Sequence, residues 1–238
     1  MGHLLLFDFD YTIADSSAGI IESVNYALEQ MGFKKAGHQE ISKLIGLTLD
    51  DTFIKLTGQD NEQQINDFKA FFKIKADEVM TEFTFLYDSV GESFKLLKTQ
   101  GYQIGIVSTK IRHRIEDLLQ REKILDRVDV IIGGNDVKNN KPDPEGVVLA
   151  ADKLNISLVD CIFIGDSITD AKTALNAKIP FIASLTGATT KKEFRNYPVQ
   201  HFIHTMKELP EYLLRKVDAG PNLSNDIKGI NRQRVGFN

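Results

Sequence analysis

Short apolar runs alternate with segments of helical periodicity along most of the chain. The first run, at residues 3–7, predicts a buried strand because its apolar positions are continuous. Four further runs of this kind predict strands at residues 102–107, 128–132, 161–164 and 179–184. Four segments have apolar residues at helical spacing: 93–100, 111–121, 144–154 and 169–177. This alternation predicts an α/β fold with a mostly parallel sheet and helices on both faces.

The segment that follows the first strand has a different pattern. From about residue 19 to residue 85 the apolar periodicity is helical, and no strand is predicted there. Its candidate helices are one that Ser16 or Ser17 caps and Gly32 ends, and others at 39–45, 49–56 and 61–80. We therefore predict an inserted all-helical cap domain at residues 16–85. The α/β core would comprise residues 1–15 and 86–217, and residues 218–238 would form a polar C-terminal tail.

Composition narrows the classes of partner. The 238 residues carry a net charge of −4, so no basic face indicates nucleic acid or an anionic membrane. No run reaches the length of a spanning helix, and the N-terminus lacks the pattern of a signal peptide. The single Cys161 lies in an apolar run, which favours a buried thiol in a reducing cytosol over a nucleophile. We expect a cytoplasmic monomer or homodimer with no nucleic-acid or membrane partner.

Four polar segments follow apolar runs, and these segments contain the candidate chemistry. They are Phe7 to Thr12, Val107 to Thr109, Lys141 to Asp143, and Gly165 to Asp170. Ligand sites in open α/β sheets lie at the carboxyl ends of the strands, so we expect the four segments to converge.

Asp8 and Asp10 share a face if the strand geometry continues through them. Two carboxylates this close do not both ionise readily without a cation. One can therefore be ionised and nucleophilic while the other is protonated and donates. Taken alone, the pair also fits an acidic turn after a strand.

The other segments also have structural alternatives when each is taken alone. Ser167 or Thr169 can cap a helix, with Asp170 as a first-turn acid. Lys141 can be a surface charge, and Ser108 with Thr109 can cap the next helix. The summed charge of these segments favours a functional site over the structural alternatives. If they converge, the net charge is −3, from Lys141 and the four carboxylates of Asp8, Asp10, Asp166 and Asp170. A water-poor pocket tolerates that only with a divalent cation, and oxygen ligands suit Mg²⁺.

These residues, in this order, resemble the motifs of the haloacid dehalogenase (HAD) superfamily over about residues 4–215. The matching motifs are Asp8-x-Asp10-x-Thr12, Ser108, Lys141-Pro142 and Gly165-Asp166-x-x-x-Asp170. The resemblance implies a Rossmann-like core, and the helical insertion resembles the cap of the phosphoglycolate phosphatase and β-phosphoglucomutase-like branch. Tyr11 stands where the family usually has a glycine that allows a tight turn.

The resemblance also implies roles for individual residues. Asp8 would attack phosphorus and become an aspartyl phosphate, while Asp10 would protonate the leaving oxygen and then deprotonate water. Ser108 and a backbone N–H would hold phosphoryl oxygens, and Lys141 would neutralise the transferring group. The residues implied at the Mg²⁺ site are Asp8, Asp10 through its carbonyl, Asp166 and Asp170, the last orienting Lys141 or a metal-bound water. The implied substrate-binding residues are Thr12, Thr109 and Lys110.

Segments 45–49 and 108–110 resemble those of phosphoglycolate phosphatases and related pyrophosphatases. The leading expectation is a phosphatase for a small phosphorylated metabolite, of the phosphoglycolate-like monoester kind, with inorganic pyrophosphate second. The presence of Asp10 disfavours a dehalogenase. Thr12, together with the apolar residues around Gly46 in segment 45–49, disfavours a β-phosphoglucomutase-like phosphomutase. Outside enzymes, a phosphoacceptor signalling domain would be about half this length, and an inactive binding protein should have lost one of these residues. On the cap, Lys43, Lys55 and Lys73 are either substrate contacts or solvated charges.

Overall fold

The computed structural model describes residues 3–218 of the chain. The strands, in chain order, are β1 (Leu4–Phe7), β2 (Ala14–Asp15), β3 (Phe85–Leu86), β4 (Gln103–Val107), β5 (Val130–Ile132), β6 (Cys161–Gly165), β7 (Phe181–Ser184) and β8 (Val199–Ile203). The helices are α1 (Ser17–Gln30), α2 (His38–Ser42), α3 (Leu49–Thr57), α4 (Glu62–Val79), α5 (Val90–Thr99), α6 (Arg112–Arg121), α7 (Glu145–Lys153), α8 (Ile168–Ala177) and α9 (Glu208–Asp218).

Six strands form one parallel sheet in the order β5-β4-β1-β6-β7-β8. The first strand is central, and its Leu5 pairs with Ile104 on one side and Ile162 on the other. Because side chains alternate along a strand, Leu5 and Phe7 pack on one face of the sheet and Leu4 and Leu6 on the other. The predicted fold class, a mostly parallel sheet in a Rossmann-like α/β core, is confirmed.

Two separate apolar layers cover this sheet. Helices α5, α6 and α9 contribute Phe94, Ile115 and Leu209 to the layer that contains Phe7. Helices α7 and α8 contribute mainly small residues, including Ala150 and Ala174, to the layer that contains Leu6. Burial on both faces explains why the central strands appear in the sequence as uninterrupted apolar runs.

Helices α1 to α4 lie between β2 and β3 in the chain and have an apolar core of their own. In that core the rings of Phe53 and Phe68 lie 5.2 Å apart, between α3 and α4. Strands β2 and β3 pair antiparallel, Ala14 opposite Leu86, so the chain enters and leaves the helical segment through one ribbon. The sequence pattern did not predict this ribbon, because two residues per strand carry no periodicity. The cap boundaries at residues 16 and 85 stay a prediction.

Two further elements were absent from the sequence-based prediction. Strand β8 is an edge strand whose residues are mostly half-buried, so it lacks the continuous apolar run of the central strands. Helix α9 buries Leu209 and Leu213 and leaves Leu214 exposed. Its Pro210 lies within the first turn, where the missing N–H costs no intrahelical bond.

The predicted C-terminal tail lies outside the described residues apart from Asp218, which ends α9. Among the described helices, none combines the length and the apolar character that a bilayer crossing requires. Cys161 is buried in β6, where burial raises the pKa of its thiol to about 11. A thiol with so high a pKa is a poor nucleophile, which agrees with the structural role predicted for it.

Candidate active site

Three buried carboxylates meet at the carboxyl end of the sheet. Asp8 directly follows β1, and Asp166 directly follows β6, which pairs with β1 in parallel. Asp170 lies in the first turn of α8, the helix that leaves β6. One oxygen from each of the three side chains lies within 4.8 Å of the others. Adjacent parallel strands therefore bring together acids that are more than 150 residues apart.

Lys141 lies against two of these acids. Its Nζ is 2.7 Å from Asp8 Oδ1 and 2.6 Å from Asp170 Oδ1, and the lysine side chain is only 4% exposed. Burial lowers the pKa of Lys141, but Asp170 and Asp8 raise it by more, so the net shift is upward. The ammonium group is therefore a permanent positive charge beside Asp8 at neutral pH.

Asp170 has a structural and an electrostatic function at once. Ser167 caps α8, its hydroxyl accepting a 3.1 Å hydrogen bond from the Asp170 N–H. In return, Asp170 Oδ2 accepts hydrogen bonds from the N–H and the hydroxyl of Ser167. The other oxygen, Oδ1, accepts from Lys141. The helix-cap interpretation of this segment is therefore confirmed, and the active-site role of Asp170 stays a prediction that its contact with Lys141 supports.

The charges of this cluster do not balance within the protein. Asp8, Asp166 and Asp170 face one ammonium group, that of Lys141. Burial, and then Asp170 and Asp10, raise the pKa of Asp8 to about 6, although Lys141 lowers it. Burial, and then Asp170 and Asp8, hold the pKa of Asp166 well above its ordinary value. A cation placed among them would relieve this energetic cost.

The donor set fits a hard divalent cation, because every candidate ligand is an oxygen. Both oxygens of Asp170 already accept hydrogen bonds. Within residues 3–218, in contrast, no donor bonds to Oδ2 of Asp8, nor to Oδ2 of Asp166. Asp8 and Asp166 therefore each retain a free oxygen for a metal ion, whereas both oxygens of Asp170 hold Lys141 and the start of α8.

Asp166 is held by two residues from other parts of the chain. Thr12 Oγ1 donates a 3.1 Å hydrogen bond to its Oδ1. Gly187, in the loop after β7, passes so close that a Cβ there would lie 1.8 Å from Asp166 Oδ2. The sequence analysis expected Thr12 to bind substrate and did not single out Gly187. A glycine three residues past a predicted strand end was the only signal for it.

The side chain of Asp10 has different partners from the other acids. Its Oδ1 accepts a hydrogen bond from the Ser16 hydroxyl and a 2.9 Å hydrogen bond from Lys110 Nζ. Its side chain is therefore not part of the three-acid cluster, and its predicted metal contact through the carbonyl stays a prediction. Ser16 precedes α1 as expected, but its hydroxyl makes no capping bond there. It was predicted as a helix cap, and its contact with Asp10 was not foreseen.

Tyr11 has a φ of 61°, in the left-handed region that favours glycine. The turn is closed by a 2.7 Å hydrogen bond from the Tyr11 N–H to the Ala14 carbonyl. The Tyr11 carbonyl accepts from the hydroxyl of Thr186. The tight turn that a glycine would allow is thus present here with a tyrosine, and contacts on both sides hold it.

The segment after β4 contains a candidate oxyanion donor. The Ser108 N–H donates to the Ile132 carbonyl at 3.0 Å, so it belongs to the sheet and is not free. The Ser108 hydroxyl accepts from the Lys110 N–H at 3.3 Å. The Thr109 N–H has no acceptor among the described residues, and it is the better candidate for an oxyanion donor. Neither hydroxyl caps α6, since Ile111 precedes that helix without a side-chain cap.

A cavity of about 110 Å³ lies between the helical segment and the core. Asp10, Thr109, Lys110 and Arg114 line it from the core side. The opposite wall is mostly apolar and includes Ile41, Ile45, Gly46, Leu47 and Phe72. The volume suffices for a few water molecules or a small anion.

Two contacts join the walls of this cavity. Thr109 Oγ1 donates to the Gly46 carbonyl at 3.4 Å, and Arg114 forms a 2.6 Å ion pair with Asp77 of α4. The cap lysines Lys43, Lys55 and Lys73 do not line the cavity, and Lys73 pairs with Asp77 instead. The structure therefore favours their interpretation as solvated charges.

Comparison with known proteins agrees with this arrangement. The sequence profile of the family described as "Haloacid dehalogenase-like hydrolase" matches residues 5–184, which include every candidate catalytic residue. The chain belongs to this family. The resemblance that the motifs indicated is confirmed, and the protein is a HAD-like hydrolase.

Individual relatives extend the similarity over almost the whole chain. A pyrophosphatase PpaX from Bacillus cereus is 32% identical over 222 residues, covering 93% of this chain and 96% of its own. A phosphoglycolate phosphatase from Shigella boydii is 29% identical over 202 residues, with 76% and 80% of the two chains covered. A solved HAD-like hydrolase from Bacteroides fragilis is 40% identical with a TM-score of 0.85, covering 88% of this chain and all of the other.

Proposed function

We propose that this HAD-like phosphatase hydrolyses a small phosphorylated metabolite, of the phosphoglycolate-like monoester kind, through an aspartyl phosphate on Asp8. The observation that carries the proposal is the ion pair of 2.7 Å between Asp8 and the buried Lys141, at the edge of the sheet where Asp166 also lies. An ionised carboxylate beside a fixed ammonium group is suited to attack phosphorus, because the lysine offsets the repulsion between two anions.

Asp8 attacks the phosphorus atom, and the bond from phosphorus to the leaving oxygen breaks. Asp10 donates a proton to that oxygen and then removes one from the water that hydrolyses the aspartyl phosphate. The Ser108 hydroxyl and the Thr109 N–H are the donors available for the phosphoryl oxygens. The apolar cap side of the cavity would keep bulk water from Asp10 and Thr109, which line it, and would strengthen their interactions.

The proposed cofactor is Mg²⁺, held by Asp8, Asp166 and the carbonyl of Asp10. When bound, this ion would neutralise negative charge on the transferring phosphoryl group. The free Oδ2 atoms of Asp8 and Asp166 and the excess of buried negative charge support this assignment. Asp170 serves as a positioning residue, because its contacts hold Lys141 and the beginning of α8.

Inorganic pyrophosphate is the second candidate substrate. The similarity to a pyrophosphatase PpaX over nearly the full length supports it, as does the small cavity with Lys110 and Arg114 in its wall. Other readings predict different products. A phosphomutase would return an isomeric phosphate ester, and a signalling or binding protein would give no sustained turnover. Monomer or homodimer and a cytoplasmic location stay predictions.

The decisive experiment is hydrolysis of p-nitrophenyl phosphate, followed by a panel of phosphorylated metabolites that includes phosphoglycolate and pyrophosphate, with Mg²⁺ and with EDTA. We expect turnover that depends on Mg²⁺ and release of inorganic phosphate. Acid-quenched enzyme should contain a phosphorylated peptide that includes Asp8, and Asp8→Asn should lack both the peptide and turnover. Absence of turnover on the whole panel, or full activity of Asp8→Asn, would reject the proposal.

A further inference from the structure

Lys110 contacts the proposed acid–base residue and also lines the cavity. Its Nζ is 2.9 Å from Asp10 Oδ1 and 3.3 Å from Ser16 Oγ, and its side chain is only 5% exposed. The ammonium group also lies 5.5 Å from the centre of the Phe9 ring. These contacts fix a positive charge next to Asp10, on the wall of the space where a leaving group would sit.

An ammonium group has three N–H donors, and the described contacts of Lys110 use two of them. The third is available to a ligand in the cavity. Likewise, no described residue donates to Asp10 Oδ2, so this oxygen is available for the proton transfer. Lys110 therefore retains one N–H donor, and Asp10 one acceptor oxygen, for a ligand in this cavity.

The other charged side chain of the cavity wall is that of Arg114. It pairs with Asp77 of α4 through one nitrogen of its guanidinium group. The remaining wall is largely apolar, so an anion that enters loses water and must find a cation. Lys110 is the cation next to Asp10. If the leaving oxygen of a substrate lies within reach of Asp10, the rest of the leaving group therefore lies close to Lys110.

We propose that Lys110 bridges Asp10 and a second anionic group on the leaving group of the substrate. This inference rests on the proposed function, and it names the residue that would select these substrates. The preferred substrates are small phosphates whose leaving group carries a carboxylate or a second phosphoryl group next to the leaving oxygen. Lys110 is then a specificity-determining residue, and it also positions Asp10, because recognition of the anion and placement of the acid use the same ammonium group.

Binding of two stable analogues tests this inference without turnover. Phosphonoacetate carries a phosphonate and a carboxylate, and methylphosphonate carries the phosphonate alone. By calorimetry with Mg²⁺, we expect wild-type enzyme to bind phosphonoacetate roughly 10-fold or more tightly than methylphosphonate, as for a charge-assisted hydrogen bond. Lys110→Met should abolish that ratio, and Lys110→Arg should preserve most of it.

Lys98→Met is the matched control, because Lys98 forms an ion pair with Asp129 in another part of the core. It should leave the binding ratio unchanged. In kinetics, Lys110→Met should lower kcat/KM for phosphoglycolate or pyrophosphate by roughly 10²-fold and for p-nitrophenyl phosphate much less, since that leaving group needs little acid help. An equal loss on all substrates would indicate that Lys110 only supports the fold, and the inference would fail.

The outcomes separate this inference from the proposed function. A wild-type enzyme that hydrolyses no phosphate ester or anhydride contradicts the proposed function, whereas the analogue ratio still measures anion recognition by Lys110. Active wild-type enzyme with equal affinity for the two analogues overturns the inference alone. Thermal unfolding checks that each variant folds. If Lys110→Met does not fold, the affinity ratio of the two analogues is compared between wild type and Lys110→Gln, and this comparison tests the inference.

Discussion

Thr12 and Asp166 are joined by a 3.1 Å hydrogen bond across 154 positions of the sequence. The hydroxyl of Thr12, just beyond β1, thereby fixes the orientation of a carboxylate that follows β6. A candidate metal ligand that is oriented by a buried donor has little freedom to turn away from its cation. The contact explains why a threonine is useful two residues after Asp10 even though Thr12 does not line the cavity.

We expect Thr12→Val to raise the Mg²⁺ concentration for half-maximal activity by roughly 10- to 100-fold, with kcat at saturating Mg²⁺ less affected. Valine retains the shape of threonine but leaves Asp166 Oδ1 without its donor. Thr173→Val is the control, because the Thr173 hydroxyl donates to the carbonyl of Thr169 in its own helix, α8. An unchanged Mg²⁺ requirement in Thr12→Val would contradict the role in positioning Asp166.

Gly187→Ala should damage the same carboxylate from the other side. The new Cβ would lie 1.8 Å from Asp166 Oδ2, so either the loop or the carboxylate must move. We expect activity at low Mg²⁺ to fall by roughly 10-fold or more, as when a supporting contact of a metal ligand is lost. Gly91→Ala is the control: its Cβ would meet no atom closer than 3.6 Å, and alanine favours the helix. Equal Mg²⁺ titrations for wild type and Gly187→Ala would show that the loop adapts freely.

The charge of Asp8 should be visible in the stability of the metal-free protein. Burial is the main cause that raises the pKa of Asp8 from 3.8 to about 6. The folded state then binds the proton more tightly than the unfolded state, so the contribution of Asp8 to stability falls as pH rises between these two values. At 1.36 kcal/mol per pKa unit, this contribution amounts to roughly 3 kcal/mol.

Urea unfolding in EDTA between pH 4 and pH 7 measures this effect. Wild type should lose stability over that window relative to Asp8→Asn, which lacks the titrating group. At pH 7 the asparagine variant should therefore be the more stable of the two in EDTA, and added Mg²⁺ should stabilise wild type preferentially. Parallel pH profiles of the two proteins would mean that the charge of Asp8 is compensated without a metal ion.

Asp10→Asn tests the acid–base role. We expect it to slow hydrolysis of a substrate with a poor leaving group by roughly 10²–10⁴-fold, the usual contribution of general acid–base catalysis. The first step with p-nitrophenyl phosphate should suffer less, so a burst of p-nitrophenol should precede slow turnover in rapid-quench measurements. If the rate with an alkyl phosphate is unchanged, another group supplies the proton.

Ser16→Ala tests the second contact of Asp10. Without the hydroxyl, Lys110 alone holds Asp10 Oδ1, and the carboxylate gains rotational freedom. We expect kcat to fall by roughly 10- to 100-fold while KM changes little, because the loss of one hydrogen bond to a charged group is worth about 1.5–3 kcal/mol. Ser17→Ala, at the half-buried first position of α1, should behave as wild type. A matching loss in both variants would assign the effect to helix α1 itself.

Elements with strong periodicity were predictable, and weakly patterned ones were not. The central strands β1, β4 and β6 are buried on both faces, so their apolar runs identify them directly. The edge strand β8 is half-buried and the ribbon of β2 and β3 is two residues wide, so neither carries such a run. The helical insertion was recognisable because α1 and α4 each have a continuous apolar stripe.

The chemical groups at the strand ends could be identified from the sequence, because Asp8, Ser108 and Asp166 each interrupt an apolar run. Which of these groups touch depends on how the strands and helices pack. The sheet order sets β6 beside β1 and thereby Asp166 beside Asp8, with Lys141 held between Asp8 and Asp170. It also gave Asp10 a separate set of partners in Ser16 and Lys110. The reason is physical: periodicity reports how one segment is buried, whereas contacts across 100 residues depend on how segments pack against one another.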